Sequence, residues 1–130
     1  YVFASHGLAF AASNAKLVDQ KVVYMLPDLS GFAPNSNVIL WDSDNGVSED
    51  LLHLAIVSGK YSRYKLDKGF PMGSYERLYS RWIEQSVNHA LATEVFCYME
   101  DQTSRGLITL KIDNYAATIG LVAIHEDYQH

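Results

Sequence analysis

The chain has 130 residues, of which 48% are hydrophobic and 19% charged, which is the composition of one folded domain rather than of a disordered segment. Its formal net charge of −5 disfavours nucleic-acid binding, which requires a basic surface. No apolar run approaches the roughly 20 residues of a membrane-spanning helix, and a single cysteine rules out an internal disulfide and favours the reducing cytoplasm.

The first 37 residues show little helical or strand periodicity. Residues 1–17 are predicted to be irregular, residues 22–26 form an apolar strand-like run that Pro27 closes, and residues 27–37 read as a loop. We therefore predict that residues 1–34 are the tail of an upstream region plus a linker. Because the chain begins with Tyr1 rather than Met, we also expect the native start to lie upstream.

A short strand over residues 38–41 and a turn over residues 42–46 precede the first predicted helix. Ser48 is a suitable N-cap, and Glu49 and Asp50 follow in the first turn, where the helix dipole favours acidic side chains. Gly59 is a natural C-terminal stop. One face of this helix carries Leu51, Leu54, Ala55 and Ser58.

The clearest helix begins after residues 71–74. Its apolar side chains recur at the i, i+3, i+4, i+7 spacing of an amphipathic helix, and this pattern predicts that they form core. They are Tyr75, Leu78, Tyr79, Trp82, Ile83 and Val87.

Three predicted strands follow, over residues 94–99, 106–112 and 118–124. Short polar turns separate them, which favours antiparallel pairing. Cys97 lies within the first of them and is predicted to be a small buried hydrophobe rather than a nucleophile. The order strand, helix, helix and three strands predicts an α+β fold, with an antiparallel sheet and two helices.

Residues 118–130 carry a family resemblance. An apolar strand runs directly into His125-Glu126-Asp127-Tyr128-Gln129, which resembles the fourth strand and the start of the cofactor loop in the GNAT superfamily of N-acetyltransferases. In that family the loop continues as Gln/Arg-x-x-Gly-x-Gly/Ala. Gln129 matches the first position, and the glycines would fall beyond His130. Glu126 departs from the proline that many relatives carry there.

The resemblance implies a partial GNAT fold (acyl-CoA N-acyltransferase), with residues 35–130 forming the N-terminal half of the domain and the chain cut inside its acetyl-CoA loop. It also implies acetyl-CoA as the acetyl donor. Val122, Ala123 and Ile124 would contact the pantetheine arm through their backbone, as an added strand would. Gln129 and His130 would begin the pyrophosphate loop. The alternative from the residues alone is an ordinary buried strand with a polar end.

Residues 61–67, 76–87, 105–110 and 119–121 are similar to the corresponding stretches of the GNAT group that includes dTDP-fucosamine acetyltransferase. This similarity implies that the acceptor is the amino group of a nucleotide-linked amino sugar. The resemblance makes Arg63, Tyr64 and Trp82 candidate substrate-binding residues. Arg63 would pair with a phosphate or carboxylate, and Trp82 would form a wall of the acceptor site. Alternatively, Arg63 is a surface residue bonded to a helix end and Trp82 belongs to the core.

The expected function is that of a cytoplasmic N-acetyltransferase, which moves an acetyl group from acetyl-CoA to a small-molecule primary amine. A peptide or protein amine is the alternative acceptor, and a non-catalytic GNAT-like fragment that does not bind coenzyme A unaided is the rival class. The catalytic residues stay unassigned, and five histidines without metal spacing predict no metal. No nucleic-acid or membrane partner is expected. Residues 121–124 of the last strand would be left unpaired, which predicts either self-association or completion by another polypeptide.

Overall fold

The computed structural model describes residues 22–28 and 30–129. In chain order the elements are β1 (Val38–Leu40), α1 (Glu49–Ser58), α2 (Arg63–Leu66), α3 (Ser74–Val87), β2 (Glu94–Glu100), β3 (Thr103–Ile112) and β4 (Ala117–Ile124). Single 3-10 turns lie at Ser43–Asn45 and Glu126–Tyr128. The predicted α+β class is confirmed. The prediction for residues 1–17 lies outside the described residues.

The four strands form one antiparallel sheet in the order β1-β2-β3-β4. Sequence neighbours are therefore also neighbours in the sheet, and the short polar turns predicted this antiparallel pairing for β2, β3 and β4. In the part of the chain that the structure describes, β4 pairs only with β3, and its other side is called the free edge below.

The pairing of β3 with β4 contains a bulge. Ile108 lies opposite Val122 and Leu110 lies opposite Ile119, so that Gly120 and Leu121 together face Thr109. Gly120 has no room for a side chain, because a Cβ there would stand 2.8 Å from the Thr109 Oγ1. The extra residue places Ile119 on the same face of the sheet as Val122.

Helix α1 begins and ends where the sequence predicted. The Ser48 Oγ accepts a hydrogen bond from the Leu51 N–H at 3.2 Å, and Gly59 closes the helix by donating to the Ile56 carbonyl at 3.2 Å. Helix α3 follows a left-handed Gly73 (φ 77°) and has no side-chain cap.

The core lies between the helices and one face of the sheet. Helices α1 and α3 cross at Gly59, where an added Cβ would stand 2.1 Å from the Tyr79 ring, and the Tyr75 hydroxyl donates to the Ile56 carbonyl. From the sheet, buried side chains come from β2, β3 and β4: Val95, Cys97, Leu107, Thr109, Leu121 and Ala123. The predicted burial of Cys97 is confirmed.

The opposite face of the sheet is also apolar. Among the described residues no second layer covers it, and six of its large aliphatic side chains are exposed: Val38, Leu40, Ile112, Ile119, Val122 and Ile124. Phe96, Tyr98, Ile108 and Leu110 are partly buried beside them.

One expectation is corrected, and one helix was not predicted. The predicted strand over residues 22–26 is wrong, because this segment is exposed, with Tyr24 at 89%, and has no neighbouring strand among the described residues to pair with. The sequence analysis missed α2, which is only four residues long and too short to show helical periodicity.

No helix in residues 22–28 and 30–129 combines the length and apolarity needed to cross a membrane.

Candidate functional site

The backbone direction of β4 follows from one hydrogen bond. The His125 N–H donates to the Arg105 carbonyl at 2.8 Å, so the backbone groups of His125 point towards β3. Successive residues of a strand alternate in this direction. The N–H and C=O groups of Val122 and Ile124 therefore point to the free edge, whereas those of Ala123 point to β3.

A cavity of about 320 Å³ lies between the end of α1 and β4, and is called the β4 cleft below. Three of its lining residues are Val122, Ala123 and Ile124, which carry the predicted pantetheine contacts. Gln129, the predicted first residue of the pyrophosphate loop, also lines it. The opposite wall comes from the end of α1 and the residues just beyond it: Val57, Ser58, Lys60 and Tyr61.

Gln129 lies across one end of the β4 cleft. Its Nε2 donates to the Ile124 carbonyl at 2.6 Å, and its Oε1 accepts from the Lys60 Nζ at 3.4 Å. The 3-10 turn Glu126–Tyr128 reverses the chain and brings Gln129 back to the strand. A carboxamide N–H from outside the sheet thus occupies the hydrogen-bonding position that a neighbouring strand would fill.

Aromatic and charged side chains cluster just beyond the end of β4. The His125 ring lies 5.5 Å from the His53 ring of α1 and 6.1 Å from the Tyr128 ring, and the Arg105 guanidinium lies 5.3 Å over Tyr128. A hydrogen bond with the Glu100 carboxylate raises the pKa of Tyr128 above its usual value. This phenol therefore stays protonated at neutral pH.

Arg63 and Tyr64 lie together, but not in the β4 cleft. The Arg63 Nη2 donates to the Tyr64 hydroxyl at 3.0 Å, and the guanidinium lies 5.0 Å over the ring. Tyr64 also packs 5.1 Å from the Phe70 ring. Both rings line a second cavity of about 220 Å³, called the α2 cavity below, with Lys65, Asp67, Lys68, Pro71, Met72, Gly73, Tyr75 and Glu76.

Trp82 lies apart from both cavities. It packs against the core from α3 and stacks on Tyr79 with ring centroids 5.8 Å apart. Its surroundings are those of a core residue, which was the alternative that the sequence left open.

The structure therefore brings four of the predicted cofactor residues to one cleft, and His130, the fifth, lies outside the described residues. Sequence reasoning missed the opposite wall of the cleft, which includes Lys60 and Tyr61. The available signal was their position directly after Gly59, where the chain leaves α1. Within the described ranges, no three His, Cys, Asp or Glu side chains are grouped closely enough to hold a metal ion.

These features define a two-layer α+β protein with a cleft at the free edge of its last described strand. No known family model matches the chain, and a search of curated proteins found no significant match.

Proposed function

We propose that the chain is part of a GNAT-type N-acetyltransferase that takes the acetyl group from acetyl-CoA and passes it to a primary amine. The observation that carries this proposal is the β4 cleft, in which the outward backbone groups of Val122 and Ile124 border a cavity of about 320 Å³. The order of strands and helices and the resemblance of residues 118–129 to a cofactor-binding strand support it.

The residues of the cleft fit a pantetheine arm. Such an arm is extended and contains two amides, and extended amides bind free strand edges as an additional strand does. The Ile124 carbonyl already accepts a carboxamide N–H from Gln129, so this edge accepts an amide donor. The apolar side chains of Val57 and Val122 line the cavity and suit the methylene groups between the amides.

Acetyl transfer from a thioester requires little covalent chemistry from the protein. When bound, acetyl-CoA supplies the activated acetyl group as a thioester. The chain's own contribution is to hold the donor in register along β4, so that the donor and the amine meet in a fixed orientation. The amine must reach the thioester in its neutral form to act as a nucleophile.

We propose a nucleotide-linked amino sugar as the acceptor. The similarity of residues 61–67 to one GNAT group supports this, as does the α2 cavity, where Tyr64 and Phe70 offer aromatic surface beside Lys68. Lys65 also lines this cavity, where its Nζ is paired with the Glu76 carboxylate at 3.4 Å. Aromatic rings stack on nucleobases, and lysines bind phosphate groups. The segment between α1 and α2 contributes Tyr61 to one cavity, and α2 contributes Tyr64 to the other.

The test of the donor site is calorimetric titration of acetyl-CoA into the chain and into two variants of Val122. We expect micromolar binding to the unsubstituted chain. Val122→Pro removes an N–H that points to the free edge but spares the β3 pairing. It should weaken binding about fivefold or more, since one lost buried hydrogen bond is worth about 1–3 kcal/mol.

Val122→Thr is the matched control, because it keeps the N–H and nearly the same side-chain shape, and it should bind as the unsubstituted chain does. Absence of acetyl-CoA binding would contradict the proposed function. Binding that Val122→Pro leaves unchanged would remove β4 as the donor site.

A further inference from the structure

Lys60 supplies a positive charge at one end of the β4 cleft. It is the first residue after the α1 C-cap, and its Nζ lies 3.4 Å from the Gln129 Oε1 and 5.2 Å from the centroid of the Tyr61 ring. It forms no salt bridge with a carboxylate in the described part of the chain. The charge is therefore available to a ligand.

The position of Lys60 along the cleft is fixed by a chain of two contacts. Its ammonium touches the Gln129 side chain, and that side chain donates to the Ile124 carbonyl, the last residue of β4. Lys60 thus stands at the C-terminal end of the free edge, and Val122 lies further along the cleft. A ligand lying along β4 would bring one end to Lys60.

We propose that Lys60 binds a phosphate group of the donor and so selects a phosphorylated amide arm over the bare arm. This inference rests on the proposed function, because it takes the ligand of the β4 edge to be a coenzyme A thioester. An ammonium on a flexible stem binds phosphate as a point charge. The Gln129 carboxamide, which touches both Lys60 and the strand, holds the ammonium near the end of the arm.

A competing role for Lys60 is purely structural. It lies just beyond the C-terminus of α1, where a cation also stabilises the helix dipole. That role would affect the stability of the fold and would not distinguish one ligand from another. The experiment must therefore compare a ligand that carries phosphate with one that has only the amide arm.

Acetyl-CoA and S-acetyl-pantetheine meet this condition, since they share the thioester and both amides while only acetyl-CoA carries phosphate groups, together with an adenosine. Dissociation constants for both are measured by calorimetry on the unsubstituted chain, on Lys60→Gln and on Lys111→Gln. Lys111 is an exposed lysine of β3 outside the cleft, so it reproduces the change in net charge. Circular dichroism first verifies that each variant is folded.

For Lys60→Gln we expect the dissociation constant of acetyl-CoA to rise about fivefold to tenfold and that of S-acetyl-pantetheine to change less than about twofold, as for a partly exposed charge pair. Lys111→Gln should leave both constants unchanged. Added potassium chloride should weaken acetyl-CoA binding to the unsubstituted chain more than binding to Lys60→Gln.

Three results would overturn the proposal. If the unsubstituted chain binds both ligands and Lys60→Gln leaves acetyl-CoA unchanged, or weakens both ligands equally, Lys60 does not recognise phosphate while the proposed function stands. If the unsubstituted chain binds neither ligand, the proposed function fails and this inference fails with it.

Discussion

Thr109 places a hydroxyl group inside the core, where it is 1% exposed. Its Oγ1 accepts a hydrogen bond from the Leu121 N–H at 2.8 Å, at the point where β4 carries its extra residue. Thr109→Val keeps the shape of the side chain but leaves that buried N–H without its acceptor. We expect the free energy of unfolding in urea to fall by about 1–3 kcal/mol.

The matched control for this change is Thr118→Val, on an exposed position of the same hairpin. It should alter the free energy of unfolding by less than about 0.5 kcal/mol. Equal losses at Thr109 and Thr118 would show that the hydroxyl of Thr109 does not sustain the bulge.

Cys97 is fully buried, and burial raises the pKa of its thiol to about 11. Since the thiolate is the reactive form, the folded chain should react with thiol reagents at pH 8 far more slowly than the unfolded chain. Reaction of the folded protein at the rate of the unfolded protein would contradict the burial of Cys97.

The same shift makes stability depend on pH in a defined range. The pKa of the thiol is higher in the folded chain than in the unfolded chain, where it is about 8.5. Its contribution to stability is therefore complete below that lower value and is lost as the pH rises towards about 11. Urea titrations should show the free energy of unfolding falling over this pH range. The Cys97→Ala variant should lack the part of this fall that ionisation of the thiol causes.

At the level of single residues, the sequence predicted one wall of the β4 cleft and missed the other. The side of the cleft formed by β4 could be predicted because residues 118–129 form one continuous sequence pattern. Lys60 and Gln129 are 69 residues apart, and their contact depends on how α1 packs against β4. No local pattern reports such a contact, so Lys60 was not a candidate.

Helix α1 offers a test at the scale of the element. Ser48 accepts from the Leu51 N–H at the first turn, so Ser48→Ala should cost about 1 kcal/mol of stability in urea unfolding. Ser62 occupies the same N-cap position at α2 but makes no capping bond, and its buried hydroxyl has no hydrogen-bond partner among the described residues. Ser62→Ala should therefore be neutral or slightly stabilising, and a cost equal to that of Ser48→Ala would contradict the capping assignment.

Elements were predictable to the extent that local chemistry defines them. Helices α1 and α3 carry a cap, a stop or an apolar stripe, and their positions were predicted closely. The segment over residues 22–26 has the composition of a strand, yet a strand exists only with a partner, and composition does not supply one. Its exposure shows that propensity alone was a misleading guide there.

At the scale of the whole molecule, the packing of the helical layer depends on the closeness of α1 and α3 at Gly59. Gly59→Ala would drive a methyl group into the buried Tyr79 ring, which is held between Tyr75 and Trp82, and should destabilise the protein by about 1–3 kcal/mol or more. The same change should cost much less when Tyr79→Leu has opened the space. Additive losses in this double-mutant cycle, measured by urea unfolding, would mean that the two residues do not oppose each other.

The bulge at Gly120 has a consequence for changes of chain length. Because Gly120 and Leu121 together face Thr109, the alternation of side chains between the two faces shifts by one residue at this point. Odd-numbered Ile119 therefore shares a face with even-numbered Val122. Deleting Gly120 would leave Leu121 alone opposite Thr109, so that β4 becomes a regular strand in which every side chain keeps its face. Deleting any other single residue of β4 would instead turn one part of the strand to the opposite face. Single-residue deletions in homologous chains should therefore be common at Gly120 and in the exposed turn over residues 113–116, and rare elsewhere in β4.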